Sequence, residues 1–349
     1  KGDCPLYQDF GYGTLAKMSA SRSAVVAAAL FAASLAGGTS APETTPVMTR
    51  SGACDASGAV AVGPGTFVVA SDEDNVLRVY GPTDTAPQPS ALDVSAFLGL
   101  KPGGPEADLQ GATRIGDGIY WITSHGADGK GRPRPSGRRL FATQVAVVDG
   151  RAQFPPVGQP YEMLVQDFIA DPELQSYGLK AAAKRAPKTP NALNIEGLTA
   201  TPDGGLLIGF RNPIPQGKAL VVPLLNPKDV VMGLAKAKLG APILLSLAGL
   251  GIRSIEYSAA RNEYLIVAGP DGVTGPFHLY RWTGSKSEAP IEVTGVSFTG
   301  LQPEALIVYP DNANTIEILS DDGARDIHGV PCKNLPVDQR VFRSLRVSF

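Results

Sequence analysis

The chain has 349 residues, a formal net charge of −2, 43% hydrophobic residues and only 18% charged ones. That composition excludes a disordered chain and gives no global attraction to nucleic acid or to an anionic membrane surface. With 40 Gly and 30 Pro, turns must be frequent and long helices scarce, which predicts a mostly-β chain.

In chain order, the first feature is a secretory pattern. Met18 precedes Ser19-Ala20-Ser21-Arg22, a short basic segment, and Ala24 to Ala36 is an apolar run. Small residues follow, with a cleavage point after Ala41. The run is short for a membrane anchor, which needs about 20 apolar residues. Residues 1–41 are therefore expected to be a leader and signal peptide. Residues 42–349 are expected to be one domain of an exported protein, periplasmic or secreted, without a stable membrane span. In an oxidising compartment Cys54 and Cys332, near the two ends of that domain, are expected to form a disulfide.

A repeated hairpin comes next. Its clearest copy is Asn194 to Pro213, in which Pro202-Asp203-Gly204-Gly205 supplies the turn and Leu206 to Phe210 return. Equivalent first positions are Ser57, Gln110, Glu196, Arg253 and Glu304, spaced by 53, 86, 57 and 51 residues. Each is followed by a small residue or a short apolar run, a turn and an apolar return strand. Third strands are readable at Val76 to Tyr80, Ala219 to Leu224 and Phe277 to Trp282. Short strands recurring at about 40 to 50 residues predict an all-β β-propeller. The count is five blades, with six as the competing number. The interval of 86 is read as a helical insertion over 151–190, with Pro172 at a helix start after Asp171. A second helix is expected over Lys228 to Leu239, ended by Gly240.

Hairpin geometry places strand starts and return-strand ends on one face. That face collects Ser124, His125, Glu196, Arg211, Asn212, Arg253 and Glu304, the expected ligand-binding set around a polar mouth. Carboxylates with few His suit a hard cation such as calcium, so Asp72, Asp74 and Asp271 are the expected metal ligands. A cationic loop, Lys130 to Arg139, adds groups that grip phosphate or carboxylate. Each group also has a plain structural reading, as a solvated turn or an ion pair. The sequence holds no G-x-S-x-G, H-E-x-x-H, P-loop or CxxC pattern.

Several strings together carry a resemblance. They are Ala70 to Tyr80, Ile195-Glu-Gly-Leu-Thr199, Leu207 to Pro213, Gly217 to Leu224 and Gly251-Ile-Arg-Ser-Ile255. Over residues 52 to 345 the chain resembles the bacterial domain-of-unknown-function 3616 family. The resemblance implies a propeller-like, often exported domain and brings no established activity. The hairpin starts are also similar to those of phytase-like esterase propellers, over a few residues per blade. The expected function is binding of an anionic small molecule or a protein partner at the mouth, with nucleic acid excluded. The alternative is a metal-assisted hydrolase of phosphate esters or lactones, in which carboxylates hold the ion and arginines stabilise developing charge.

Overall fold

Four four-stranded antiparallel sheets and one of five strands are arranged as the blades of a β-propeller in a computed structural model of the chain. It describes residues 41–101, 103–148 and 151–349. Residues 1–40, on which the leader and signal reading falls, lie outside the described residues.

Blade 1 runs through Gly58–Gly63, Thr66–Ala70, Val76–Tyr80 and Leu92–Asp93. Blade 2 comprises Leu109–Ile115, Gly118–Thr123, Leu140–Gln144 and Pro156–Tyr161. Blade 3 comprises Asn194–Ala200, Leu206–Asn212, Ala219–Leu224 and Ile243–Leu245. Blade 4 comprises Gly251–Ser258, Glu263–Gly269, His278–Trp282 and Ile291–Glu292. Blade 5 mixes the two ends of the domain. Pro303–Tyr309, Asn312–Ser320 and Val341–Ser348 pair in order, and the early strands Met48–Ser51 and Glu43–Thr44 both add to Val341–Ser348. Closure in this way joins the chain ends by hydrogen bonds and leaves few sheet edges open. The Cys54–Cys332 disulfide fastens the same seam, with Cα atoms 5.9 Å apart.

The first strand of each blade packs against the first strand of the next, completing a closed ring. The second strands are buried on both faces over most of their length, which explains continuous apolar runs such as Leu206-Leu-Ile-Gly-Phe210. Apolar cores fill the gaps between neighbouring blades. At the innermost strands the approach is too close for large side chains. A Cβ on Gly197 would lie 2.7 Å from Ile252 Cγ2, and one on Gly111 would lie 3.0 Å from Leu198 Cβ. Hydroxyls stitch the ring: Thr113 Oγ1 accepts from the Ala200 amide at 3.0 Å, and Thr199 Oγ1 accepts from the Tyr257 amide at 2.8 Å.

Between blades 2 and 3 the chain forms helix Leu164–Ala170, the 3-10 turn Pro172–Tyr177 and the short helix Leu179–Ala182. Asp171 caps the 3-10 turn by accepting from the Glu173 amide at 2.8 Å. The helix expected over Lys228 to Leu239 is shorter, Pro227–Val231. Gly233 at φ +69° leaves helical geometry and turns the chain back. Among the described residues no helix is long and apolar enough to cross a membrane.

Candidate functional site

Four innermost strands carry the same irregularity at the same repeat position. Pairing slips by one residue between Leu109 and Gly111, Ile195 and Gly197, Ile252 and Ser254, and Pro303 and Ala305. The extra residues are Gln110, Glu196, Arg253 and Glu304. A bulged residue has no cross-strand partner, and its side chain is re-aimed out of the pleat. Polar residues at these sites are thereby turned away from the cores between blades and toward the axis. In blade 1 the amides of Ser57 and Gly58 both fall opposite Ala70, which gives Ser57 the matching place.

Three of these residues form an arc of ion pairs across blades 3, 4 and 5. Arg253 Nε lies 2.8 Å from Glu196 Oε2, off the hydrogen-bonding line, and its Nη2 meets Glu304 Oε1. Arg211 Nη1 lies 2.8 Å from Glu196 Oε1. Arg211 also donates from Nε to the Pro270 carbonyl at 3.1 Å and from Nη2 to the Gly272 carbonyl. All four side chains are buried. Burial pulls the Arg253 guanidinium down to about 10, with neighbouring Glu196 opposing that shift, so it stays cationic at neutral pH. Its guanidinium also stacks 5.6 Å from the Phe277 ring centre.

Above this arc opens a cavity of about 330 Å³. Its wall holds seven carboxylates (Asp72, Glu73, Glu106, Asp108, Glu196, Glu304 and Asp321) against three cations, Arg134, Lys188 and Arg211. Arg134 is taken by Glu106 Oε1 at 2.6 Å and Asp108 Oδ2 at 3.0 Å. Two more cations of the expected loop are spent similarly: Arg132 pairs with Asp128, and Arg139 with Glu162 and backbone carbonyls. Gln110 Nε2 donates to Asp108 Oδ1 at 2.9 Å, and Asn194 Nδ2 to Glu196 Oε1 at 3.0 Å. Both amide oxygens, Gln110 Oε1 and Asn194 Oδ1, are then left buried without a partner, as is Asp72 Oδ1.

The expected ligand set is only partly brought together. Glu196, Arg211, Arg253 and Glu304 converge at the axis. Ser124 hydrogen-bonds Asp108 from its Oγ and accepts from the Gly126 amide at 3.2 Å. His125, at φ +57°, is fully buried and its Nδ1 lies 2.8 Å from the Thr123 carbonyl oxygen. Burial lowers it to about 4, so it is neutral at pH 7. Ser124, His125 and Asp108 thus lie close without forming a nucleophile–base relay. Asn212 Nδ2 donates to the Thr189 carbonyl at 2.6 Å, and its peptide bond to Pro213 is cis.

The expected metal set does not cluster. Asp74 is held by Arg78, Nη2 to Oδ2 at 2.7 Å, and Asp271 flanks the carbonyls that bind Arg211. Asp72 instead joins Asp55 and Glu73, with one carboxylate oxygen of each within 4.8 Å of the others. Burial first, then contact with Asp321 and other acids, raises the Asp55 carboxyl far above the ordinary range, and burial with the same neighbours raises Asp72.

Asp55, Asp108 and Asn194 were missed from sequence, yet a signal existed. Each lies two residues before a first repeat position, and that place reads Asp55, Asp108, Asn194, Gly251 and Gln302. A second polar ring was therefore written at the same period.

Among solved structures, the chain is similar to glutaminyl cyclase of Myxococcus xanthus, at 11% identity and a TM-score of 0.43, over 88% of this chain and 98% of that one. It is also similar to the PQQ-bound form of aldose sugar dehydrogenase from Streptomyces coelicolor, at 11% identity and a TM-score of 0.42, with the same 88% and 98% covered. The chemistry named for those proteins is theirs alone. No curated protein matches the chain. Residues 151–327, just over half of the chain, match the family described as "Protein of unknown function (DUF3616)", and the chain belongs to that family.

Proposed function

We propose that the mouth of the axis binds a small molecule rich in hydrogen-bond donors, carrying amino or hydroxyl groups. One observation carries this reading: on the residues that line the cavity, the buried polar atoms without a hydrogen-bond partner, Gln110 Oε1, Asn194 Oδ1 and Asp72 Oδ1, together with Glu196 Oε2 that only the off-line Arg253 Nε approaches, are all acceptors. A buried acceptor without a partner costs about 1–3 kcal/mol, and a ligand that donates to the first three offsets that cost. The sign differs from the anion expected from sequence. Arg211, Arg253 and Arg134 already face protein carboxylates, so a bare anion would meet an acidic wall. An exported location fits with this reading, because the disulfide suits an oxidising compartment. Metal-assisted hydrolysis is the second reading, favoured by the convergence of Asp55, Asp72 and Glu73.

The test is a thermal-shift panel of amino sugars, polyols, diamines and carboxylic acids in metal-free buffer, run on the full chain and on Gln110→Leu. Donor-rich compounds should stabilise the parent chain and lose that effect in Gln110→Leu, whose free melting should stay close to the parent value. Stabilisation by the carboxylic acids alone, or equal shifts in both proteins, would overturn the reading.

A further inference from the structure

The seam between blades 1 and 5 holds an electrostatic conflict that the ion-pair arc does not resolve. Asp55 and Asp321 face each other across an isolated antiparallel bridge. Asp72 and Glu73 follow the second strand of blade 1 and line the cavity. Asp55, outside the wall, completes the group from behind. It is only 4% exposed, and its Oδ2 has no partner. Asp72 Oδ1 is likewise enclosed and unpartnered. Among the described residues, the cation in direct contact with this group is Lys333, 3.0 Å from Glu73 Oε1, and that pair is partly exposed. An exposed pair contributes about 0–1 kcal/mol, too little to compensate the buried Asp55 carboxylate beside the half-buried Asp72.

The backbone nevertheless fixes these acids in place. Cys54, next to Asp55, is joined to Cys332, next to Lys333. The Asp322 amide donates to the Cys54 carbonyl at 2.9 Å. Gly323 leaves room for the Asp55 carboxylate, which a Cβ at that position would push aside. A covalent crosslink and a bridge thus fix the backbone that carries Asp55 beside the other two acids.

We infer that a divalent cation of calcium size binds where Asp55, Asp72 and Glu73 converge. The inference rests on the mouth as a ligand site and names what one edge of it takes. Calcium takes oxygen ligands at about 2.3–2.6 Å, so two oxygens on opposite sides of the ion stand at most about 5.2 Å apart. Ligand atoms within 4.8 Å of one another meet that limit. The acceptors are all hard oxygens, which suits calcium over softer transition metals. Three carboxylates give the charge the ion needs. The cavity side leaves room for water or for a ligand hydroxyl to complete the shell.

The test is calorimetric titration of the chelator-treated full chain with calcium chloride alone, with no organic compound present. One saturable site is expected. Asp72→Asn should weaken it at least tenfold, while its metal-free melting temperature stays at or above the parent value, because the amide has no ionised form to bury among acids. Asp74→Asn, altering an acid committed to Arg78, should bind as the parent does. Should Asp55→Asn fold, it should behave like Asp72→Asn. Absence of saturable binding at 10 mM calcium (about ten times the weak end of extracellular sites) would overturn the inference, as would parent-like affinity in Asp72→Asn. Either outcome leaves the organic panel in metal-free buffer free to succeed or fail separately.

Discussion

Glu196 and Arg211 are bulged residues on facing strands of one hairpin, and their side chains meet at 2.8 Å. Pairing passes from Asn194–Asn212 to Ile195–Phe210 and then to Gly197–Gly209, so each strand sets one residue aside. The pair therefore leaves the sheet together at the mouth. Arg253 then ties Glu196 to Glu304 in the next blade, which makes the arc a link between blades as well as a wall of the cavity.

Replacing Arg253 should be costly. Arg253→Ala leaves Glu196 and Glu304 short of their shared cation, and breaking a buried pair from one side costs about 3–5 kcal/mol. Denaturant unfolding should report a loss of that order whether or not a mouth ligand is added. A loss below about 1 kcal/mol would mean the arc is solvated and contributes little.

Gly197→Ala should destabilise through overpacking. Its Cβ would press on Ile252 Cγ2 at 2.7 Å and Ile255 Cγ2 at 3.0 Å, where blade 3 meets blade 4. Overpacking of this kind costs about 1–3 kcal/mol. Gly99→Ala is not a fair control, since Gly99 has φ +71°. Gly272→Ala is better, with nothing near its Cβ and no positive φ. Equal melting temperatures for Gly197→Ala and Gly272→Ala would contradict the close ring.

Reducing the disulfide should matter globally. Cys54 and Cys332 are separated by 278 residues, and the chain-entropy model gives about 5 kcal/mol as an upper figure for such a loop. Cys54→Ser/Cys332→Ser should lower stability by a large part of that amount. It should also weaken calcium binding, because Asp55 loses its anchor.

Glu256 gives a pH prediction at the other end of the axis. Its Oε1 lies 3.2 Å from Thr113 Oγ1, and Oε2 has no partner. Burial raises its pKa well above the ordinary 4.5, with the Thr113 hydrogen bond opposing. Above pH 4.5 the unfolded chain has released this proton while the folded chain still holds it. Stability from this group is therefore complete below that pH and declines as pH rises toward the folded value. Glu256→Gln should melt above the parent at pH 7, and the two should converge near pH 4. A constant difference across that range would refute the assignment. His125 acts in the opposite sense, losing stability as pH falls from 6.5 toward about 4, and cancels from the comparison.

The hairpin repeat was legible because turn chemistry and apolar strands recur at fixed spacing, and the first repeat position did mark the axis. What it could not reveal was the bulge. Reading Glu196 as an ordinary strand residue gives it a pleated direction, and only the pairing slip turns it to the mouth. The pairing of the cations was hidden for a related reason. Arg211, Arg253 and Arg134 look available in sequence, but contacts with Glu196, Glu304, Glu106 and Asp108 consume them. Arg50 was invisible for the same cause. It is fully buried on blade 5, bound to Glu317 at 2.9 Å and lying 5.1 Å from the Phe67 ring centre, a pairing across most of the chain that no local pattern records. Asp74 stands near Asp72 in sequence, whereas only closure of the ring brings Asp55 in from elsewhere.

The most direct test of the mouth as the site, with its cation edge, is an anomalous difference map from crystals grown with manganese, which accepts the same oxygen ligands. The account predicts a peak within bonding distance of carboxylate oxygens from Asp55, Asp72 and Glu73, at the margin of the axial cavity. No peak at saturating manganese, or peaks only on other faces of the propeller, would contradict it.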